Sequence, residues 1–137
     1  MTLDAKYETG VVWQDFQHRQ LMDLFDKVNK ARENKKDQNL YRYTIAFLAM
    51  YVNHHFRLEE EYMAKYNYPG TKEHIQEHQG FVSELKAFRV DNYDYSEQAA
   101  DDLVVQMGEW ILDHILGDDK RLGEFILAEE KKRAAAE

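Results

Sequence analysis

Apolar residues recur at intervals of three or four positions along most of the chain, with charged residues between them. This spacing puts the apolar side chains on one face of an α-helix, so it predicts amphipathic helices. The first predicted helix runs from Asp15, a plausible N-cap, to about Lys36. The second spans roughly residues 40–66, and the polar run 33–39 contains the turn between them. Residues 1 to about 13 lack this period and are predicted to form an arm.

Two further helices are predicted in the second half of the chain. Proline lacks the N–H that a helix needs and glycine favours turns, so the sequence Asn67-Tyr-Pro-Gly70 should end the second helix. Thr71 is predicted to cap a third helix that stops near Asp91, and Ser96 is predicted to begin a fourth. A short amphipathic helix follows, which we expect to fray over Lys131–Glu137.

Four long helices with short connections can bury their apolar stripes against one another. The predicted fold is therefore all-α, an up-down-up-down antiparallel four-helix bundle with an N-terminal arm and a short C-terminal helix. No internal repeat or linker divides the sequence, so residues 1–137 are expected to form a single domain.

Imidazole and carboxylate side chains interrupt the apolar stripe on each of the four predicted helices. Residues four apart project from one face of a helix about one turn apart, so both can reach a single metal centre. One pair is five apart and spans Gly117, where we expect the helix to loosen. The candidate ligands are His18 on the first helix, His55 and Glu59 on the second, His74 and His78 on the third, and His114 and Asp119 on the fourth.

Each of these signals has a less specific explanation when it is taken alone. A single histidine on an apolar stripe is commonly a core or surface residue, and two histidines four apart are weak evidence of a metal. Five imidazoles turned inward without metal would leave several buried polar groups unpaired, at about 1–3 kcal/mol each. Seven ligands are too many for one zinc ion, which takes about four, and they suit two iron ions bridged by carboxylates.

Neighbouring polar residues should face elsewhere if this geometry is right. His54 points about 100° away from the next residue around the helix, so it is predicted to be exposed and unliganded. Glu60 and Glu61 are turned away for the same reason, which leaves Glu59 as the better bridge.

Several short motifs accompany the candidate ligands. They are Gly10, Asp15-Phe-Gln-His18, His55-Phe56 followed by Glu59-Glu60, Tyr68-Pro69 before His74 and His78, and Trp110-Ile-Leu-Asp-His114-Ile115 closing with Asp119-Lys120. Together they resemble the hemerythrin family, and most closely its single-domain bacterial members, over nearly the whole chain. Leu3 departs from the family pattern, since relatives usually carry a tryptophan there.

The resemblance implies how the ligands divide between two irons. Spacing alone leaves Asp118 open as an alternative to Asp119, and the family pattern, with five residues after the histidine, selects Asp119. The implied centre has His74, His78 and His114 on one iron, His18 and His55 on the other, and Glu59, Asp119 and a solvent-derived oxygen bridging them. The two-histidine iron would be one ligand short, and dioxygen would bind reversibly at that position.

Large apolar residues next to the ligands are the expected walls of a small dry pocket. They are Phe56, Trp110, Ile111 and Ile115. Such residues are more often core than pocket lining, and the sequence alone does not separate the two roles. An apolar pocket without an acid or base favours holding oxygen over cleaving it.

Composition excludes several classes of function. A net charge of -8 and a pI near 5.2 argue against a nucleic-acid partner, which requires a basic face. The absence of cysteine excludes disulfides, thiolate ligands and iron–sulfur clusters. No stretch resembles a signal peptide or is apolar enough for membrane insertion, so the sequence predicts a cytoplasmic protein.

The predicted function is reversible dioxygen binding at a diiron centre for oxygen storage or transport, with at most weak peroxidase or oxidase activity. Two alternatives remain, an oxygen or redox sensing module and a diiron peroxidase or oxidase. Iron storage would need labile iron, and five histidines favour retention. The ferritin-like diiron architecture uses Glu-x-x-His pairs, which this sequence lacks. Dioxygen is the predicted partner, and no protein partner or oligomeric state is predicted.

Overall fold

The computed structural model describes residues 4–33 and 38–136, with residues 31 and 32 described by their backbone alone. Every regular element in these two ranges is helical, which confirms the predicted all-α class. A 3-10 turn at Ala5–Tyr7 precedes three long helices, which are α1 (Val12–Glu33), α2 (Gln38–Tyr66) and α3 (Thr71–Asp91).

The fourth helix is continuous from Glu97 to Ala136 and contains two π-helical turns, at Leu103–Met107 and Ile115–Asp119. Backbone angles at the junctions between its segments stay in the right-handed α region. The predicted C-terminal helix corresponds to Lys120–Ala136, which continues the fourth helix without a break. The predicted fraying from Lys131 was wrong, since helical structure extends through Ala136.

Contacts between helix ends establish the antiparallel order. The Tyr41 hydroxyl, near the start of α2, donates to the carbonyl of Asn92, just after α3, at 3.0 Å. His18, near the start of α1, lies beside His55 in the second half of α2, with ring centroids 4.9 Å apart. Such pairing of one helix's beginning with the next helix's end is the up-down-up-down arrangement of a four-helix bundle.

The connections explain where the helices stop. Asn67 adopts a left-handed backbone angle, with φ of 54°, and the N–H of Tyr68 donates to the carbonyl of Met63 at 2.9 Å. These are the features of a Schellman motif, which satisfies the last carbonyls of α2. At the start of the fourth helix the Ser96 hydroxyl accepts from the N–H of Ala99 at 2.9 Å, as its predicted capping role requires.

Two predicted caps were wrong. Helix α1 begins before Asp15, whose carboxylate instead accepts from the N–H and hydroxyl of Thr9, at 2.7 and 2.9 Å, and so ties the N-terminal segment to the first turn. Thr71 is the first residue of α3, its hydroxyl donates to a preceding carbonyl, and Gly70 occupies the cap position. The predicted end of the first helix near residue 36, its turn and Leu3 lie outside the described residues.

Two apolar clusters fill the bundle, one on each side of a polar layer. The larger includes Phe25, Leu48, Phe81 and Leu103, and the smaller comprises Val11, Met63, Tyr66, Leu122 and Ile126. Along α2 the larger cluster ends at Phe56 and the smaller begins at Met63, while on the fourth helix the corresponding residues are Ile115 and Leu122. Glu59 and Asp119 lie between these limits, and His55 and His114 directly precede Phe56 and Ile115. None of the described helices combines the length and apolarity needed to cross a membrane.

Gly123 allows the N-terminal segment to approach the fourth helix closely. A Cβ atom at this buried position would lie 2.8 Å from the Thr9 Cβ and 3.1 Å from the Gln14 Oε1. We therefore expect Gly123→Ala to lower the free energy of unfolding by about 1–3 kcal/mol, as overpacking does. Thermal unfolding measures this loss.

Gly80 provides the matched control for that substitution. It is exposed within α3, and a Cβ there would meet no heavy atom of the described residues within 4 Å. Gly80→Ala is expected to raise stability by up to about 1 kcal/mol through helix propensity. An unfolding temperature for Gly123→Ala as high as that of Gly80→Ala would contradict the close approach.

Candidate metal centre

The seven candidate ligands converge in the polar layer between the two apolar clusters. Each is at most 5% exposed, although all seven side chains can be charged. They come from all four helices, in the order His18 from α1, His55 and Glu59 from α2, His74 and His78 from α3, and His114 and Asp119 from the fourth helix.

The donor atoms divide into two groups that share the carboxylates. Within each group the atoms that could bind a metal all lie within 4.8 Å of one another. Glu59 and Asp119 belong to both groups. The first group adds His74, His78 and His114, and the second adds His18 and His55.

Asp119 directs one carboxylate oxygen toward each group. Its Oδ1 lies 2.9 Å from the Nε2 of His74 and 3.0 Å from the Nε2 of His114. Its Oδ2 lies 2.9 Å from the Nε2 of His18 and 3.9 Å from that of His55. An aspartate held in this way can bridge two cations.

The two carboxylate oxygens of Glu59 also face different groups, as those of Asp119 do. Its Oε1 lies 3.1 Å from the Nε2 of His78, and its Oε2 lies 3.4 Å from the Nε2 of His55. The side-chain amide of Gln14, which is fully buried, donates to Oε2 at 2.8 Å and fixes the rotation of the carboxylate. Both carboxylates therefore face the two histidine groups with separate oxygens.

A π-helical turn brings Asp119 into line with His114. The turn covers Ile115–Asp119, which confirms the predicted loosening of the helix around Gly117. Residues five apart are aligned in a π-helix, as residues four apart nearly are in an α-helix. Asp118 lies to one side, with 21% of its side chain exposed and an ion pair to Arg121.

Three histidines have a hydrogen-bond acceptor on the nitrogen that faces away from the cluster. The Nδ1 of His55 lies 2.7 Å from the side-chain oxygen of Gln17. The other two face carboxylates, with Glu60 at 2.9 Å from the Nδ1 of His78 and Glu77 at 3.0 Å from the Nδ1 of His114. Because these oxygens are acceptors, the Nδ1 atoms hold protons and the Nε2 lone pairs point into the cluster.

These lone pairs test whether the residues fit a metal. The Nε2 atoms of His78 and His114 are 3.2 Å apart, so two electron pairs would face each other across a buried space if neither a proton nor a metal ion lay between them. The Nε2 of His55 has no hydrogen-bond partner among the described residues. Facing lone pairs and unpaired buried acceptors are unfavourable unless a cation lies between them. Imidazole and carboxylate donors in this mixture suit iron. The residues therefore fit a pair of iron ions.

Comparison with known proteins agrees with this geometry. Residues 9–126 match the family described as Hemerythrin HHE cation binding domain. The chain belongs to the hemerythrin family. A bacteriohemerythrin of Clostridium acetobutylicum is 30% identical over 84% of this chain and 92% of the relative. A myohemerythrin of Riftia pachyptila is 32% identical over 70% of this chain and 71% of the relative. A bacteriohemerythrin of Stenotrophomonas maltophilia is 25% identical over 83% of this chain and 73% of the relative.

Hemerythrins bind oxygen at a non-haem diiron site. In this hemerythrin, the buried cluster of histidine, glutamate and aspartate is able to hold metal ions. The predicted family and the predicted cofactor are thereby confirmed.

The charges in the hemerythrin cluster favour a cation. Burial alone would raise the pKa of Asp119, but the attraction of His114 and hydrogen bonds from neighbouring histidines hold this pKa well below its usual value. Burial also opposes ionisation of Glu59, and His55 and His78 outweigh it, so the pKa of Glu59 is lowered. Burial lowers the pKa of His114, yet Asp119 raises it to about 9. Two carboxylates that remain ionised supply the negative charge that a metal pair requires.

The four residues predicted to wall the pocket all adjoin the candidate ligands or the apolar core beside them. Phe56 stacks on the ring of His78, with centroids 3.8 Å apart and planes 5° apart. Trp110 stacks on His114 at 4.6 Å and 13°. Ile111 and Ile115 are each 1% exposed and belong to the larger apolar cluster. The aromatic rings thus cover two imidazoles of the three-histidine group.

Three polar residues on α2 were expected to face away from the cluster, and two of them are exposed as predicted. His54 and Glu61 are exposed, and neither belongs to a metal-binding group among the described residues. Glu60 is half-buried and contacts His78 from outside the cluster, a role that the sequence reasoning missed. Gln14, Gln17 and Glu77 were missed as well. Gln14 had a usable signal, because it precedes His18 by four residues on the same inward face.

Proposed function

We propose that this hemerythrin binds dioxygen reversibly at two iron ions and serves in oxygen storage or delivery in the cytoplasm. The observation that carries the proposal is the division of both carboxylates. Glu59 and Asp119 each direct one oxygen to a three-histidine group and the other to a two-histidine group. In this assignment the two carboxylates bridge the irons, and the histidines bind them as the two groups are divided.

The unequal number of histidines supports binding of a small ligand. When bound, two ferrous ions supply a coordination position and the electrons that dioxygen accepts. The group with His18 and His55 has one histidine fewer, so its metal has room for a further ligand. Neutral imidazoles predominate over carboxylates, which favours retention of the metal and reversible binding over oxygen cleavage.

Exclusion of water supports reversibility. We assign Phe56, Trp110, Ile111 and Ile115 to the apolar wall that keeps water from the whole diiron centre. Water and protons promote loss of bound oxygen as a reduced product, so a dry site prolongs the oxygenated form. Gln14 contributes by holding Glu59 in place with a hydrogen bond of 2.8 Å.

An optical spectrum of iron-loaded, anaerobically reduced protein tests the proposal. It is recorded before oxygen is added, after oxygen is added and after oxygen is removed. We expect a visible band that appears with oxygen and disappears on deoxygenation. Direct decay to a ferric spectrum would contradict storage or delivery and favour a redox sensor or a diiron oxidase. Sustained turnover of added peroxide would favour a peroxidase.

Shortening a wall residue should hasten oxidation. Ile111→Ala removes three methyl or methylene groups from a position that is 1% exposed, and the cavity is expected to lower stability by about 2–5 kcal/mol. We expect water to enter and the oxygenated form to convert faster to a ferric form that no longer binds oxygen. The conversion is followed by the decay of the visible band at a temperature where the variant remains folded.

Leu85→Ala is the control, because Leu85 is 2% exposed and belongs to the same apolar cluster but lies in α3 beyond the ligand-bearing turns. It should lower stability without changing the decay. Equal decay rates for Ile111→Ala and Leu85→Ala would remove Ile111 from the wall of the oxygen site.

A further inference from the structure

The two histidine groups have different partners outside the cluster. In the three-histidine group, carboxylates accept hydrogen bonds from two Nδ1 atoms. Glu60 lies 2.9 Å from the Nδ1 of His78, and Glu77 lies 3.0 Å from the Nδ1 of His114. In the two-histidine group, the acceptor on His55 is the neutral amide oxygen of Gln17, at 2.7 Å. The buried Nδ1 of His18 has no hydrogen-bond partner among the described residues.

We propose that Glu60 and Glu77 are positioning residues that make the three-histidine iron the more readily oxidised of the two. The inference rests on the proposed diiron function. It follows from the difference in charge between the acceptors, since both groups share the same pair of bridging carboxylates.

A negative acceptor changes the imidazole that donates to it. A carboxylate on Nδ1–H orients the ring and increases the basicity of Nε2, which then donates more electron density to the metal. A stronger donor stabilises Fe(III) relative to Fe(II) and lowers the reduction potential. The neutral amide of Gln17 orients His55 without supplying this charge, so the iron that would take oxygen keeps its ferrous form more readily.

Glu60 gives the cleaner test of the two carboxylates. The Nδ1 of His114 faces Glu77 at 3.0 Å and also Asp118 at 3.4 Å, and Asp118 is paired with Arg121. Removing Glu77 therefore leaves a second acid near the same nitrogen. The Nδ1 of His78 has Glu60 as the acceptor at 2.9 Å.

Glu60 can be changed with little risk to folding. Its side chain is 33% exposed and lines a groove between α2 and α3 together with Asn53, Arg57 and Gln79. Glu60→Gln keeps the shape and a hydrogen-bond acceptor but removes the charge. Glu60→Ala removes both. Comparing these variants separates the effect of charge from the effect of ring orientation.

The first measurement is the reduction potential of the iron-loaded protein, by titration with redox mediators. We expect Glu60→Gln to retain two irons per chain and to weaken the preference for Fe(III) about tenfold, a rise of about 59 mV for a one-electron couple. Glu60→Gln with Glu77→Gln should raise the potential further. Glu61→Gln is the matched control, because Glu61 is the next residue on α2, is exposed and carries the same charge.

The second measurement uses Co(II) alone as the probe, so that it is independent of oxygen binding. Titration followed by visible absorption should give Glu60→Gln an affinity close to that of the unsubstituted protein. Glu60→Ala should bind about 10- to 100-fold more weakly, as loss of a residue that orients a ligand does. Such rescue by glutamine is expected of an orienting hydrogen bond.

A reduction potential for Glu60→Gln equal to that of Glu61→Gln would overturn the inference. The proposed function is tested separately in the unsubstituted protein, by its iron content and its oxygen-dependent spectrum. Two irons and reversible oxygenation together with equal potentials in the two variants would refute the inference alone. A shifted potential without reversible oxygenation would refute the oxygen-storage proposal and leave the role of Glu60 intact.

Discussion

Glu59→Ala is expected to lose most of its iron, because the substitution removes a donor from both metal groups at once. Glu59 lies 3.1 Å from His78 in one group and 3.4 Å from His55 in the other. Loss of a residue that only orients a ligand weakens metal binding about 10- to 100-fold. Loss of a shared ligand should therefore exceed about 100-fold. Iron per chain after desalting, and competition with a chelator, measure the effect.

The loss should extend beyond one missing bond. Without Glu59 the two groups share a single carboxylate, and the amide of Gln14 loses the oxygen to which it donates at 2.8 Å. The neighbouring imidazoles then bring two cations together with less negative charge between them. We expect both irons to be retained poorly, and not one iron to remain at normal affinity.

Two neighbouring residues on α2 provide controls. His54 and Glu61 are exposed, although each is within five residues of Glu59. His54→Ala and Glu61→Ala should keep two irons per chain. Circular dichroism of each variant checks that α2 remains helical. A full iron content in Glu59→Ala, with the controls unchanged, would refute the assignment of Glu59 as a bridge.

The helices of this hemerythrin were predictable because local features determine where each begins and ends. Apolar spacing gave the inward face of α2, and Asn67 with the following proline and glycine ended it where the structure does. The pairing of candidate ligands followed from the same period, since residues four apart on one helix face share surroundings. The geometry of an α-helix was enough to predict that His55 and Glu59 face inward together, as the structure places them.

The continuous fourth helix was not predictable in the same way. A π-helical turn inserts an extra residue without a proline, a cap or a characteristic composition. Around Gly117 the five-residue spacing from His114 to Asp119 gave a signal. The turn at Leu103–Met107 had no such signal. The sequence predicts a separate short helix after Asp119, whereas the π-helical turn at Ile115–Asp119 continues the fourth helix into that segment.

The outer acceptors were missed because they act across helices. Glu60 on α2 reaches a histidine on α3, and Glu77 on α3 reaches one on the fourth helix. The period of a single helix shows which face a residue occupies but not which neighbouring helix that face meets. Both residues are partly or fully exposed. Because the search for ligands considered only the buried helix faces, it treated them as ordinary surface charges.

The polar layer has an energetic consequence for the whole bundle. Seven ionisable side chains occupy buried positions between two apolar clusters. Burying such groups is unfavourable without full pairing, and metal binding supplies that pairing only in the folded chain. If these residues hold iron as proposed, the free energy of metal binding contributes to folding, and iron retention is coupled to the stability of the bundle.

Asp119→Ala is expected to be as damaging to iron binding as Glu59→Ala, whereas Asp118→Ala should have a small effect. Asp119 is 1% exposed and places Oδ1 within 3.0 Å of both His74 and His114, and Oδ2 at 2.9 Å from His18. Asp118 is adjacent in sequence, but the π-helical turn leaves it half-buried outside the cluster and paired with Arg121.

The comparison of these two aspartates isolates geometry, because the residue type, the charge and the helix are the same. We expect Asp119→Ala to bind iron more than about 100-fold more weakly, beyond the 10- to 100-fold effect of an orienting residue. Asp118→Ala removes a carboxylate 3.4 Å from the outer nitrogen of His114 and should change affinity less than tenfold, because Glu77 is closer to that nitrogen. Chelator competition measures both affinities. Equal losses in the two variants would mean that the π-helical turn does not select between the aspartates, and the assignment of Asp119 as a bridge would fail.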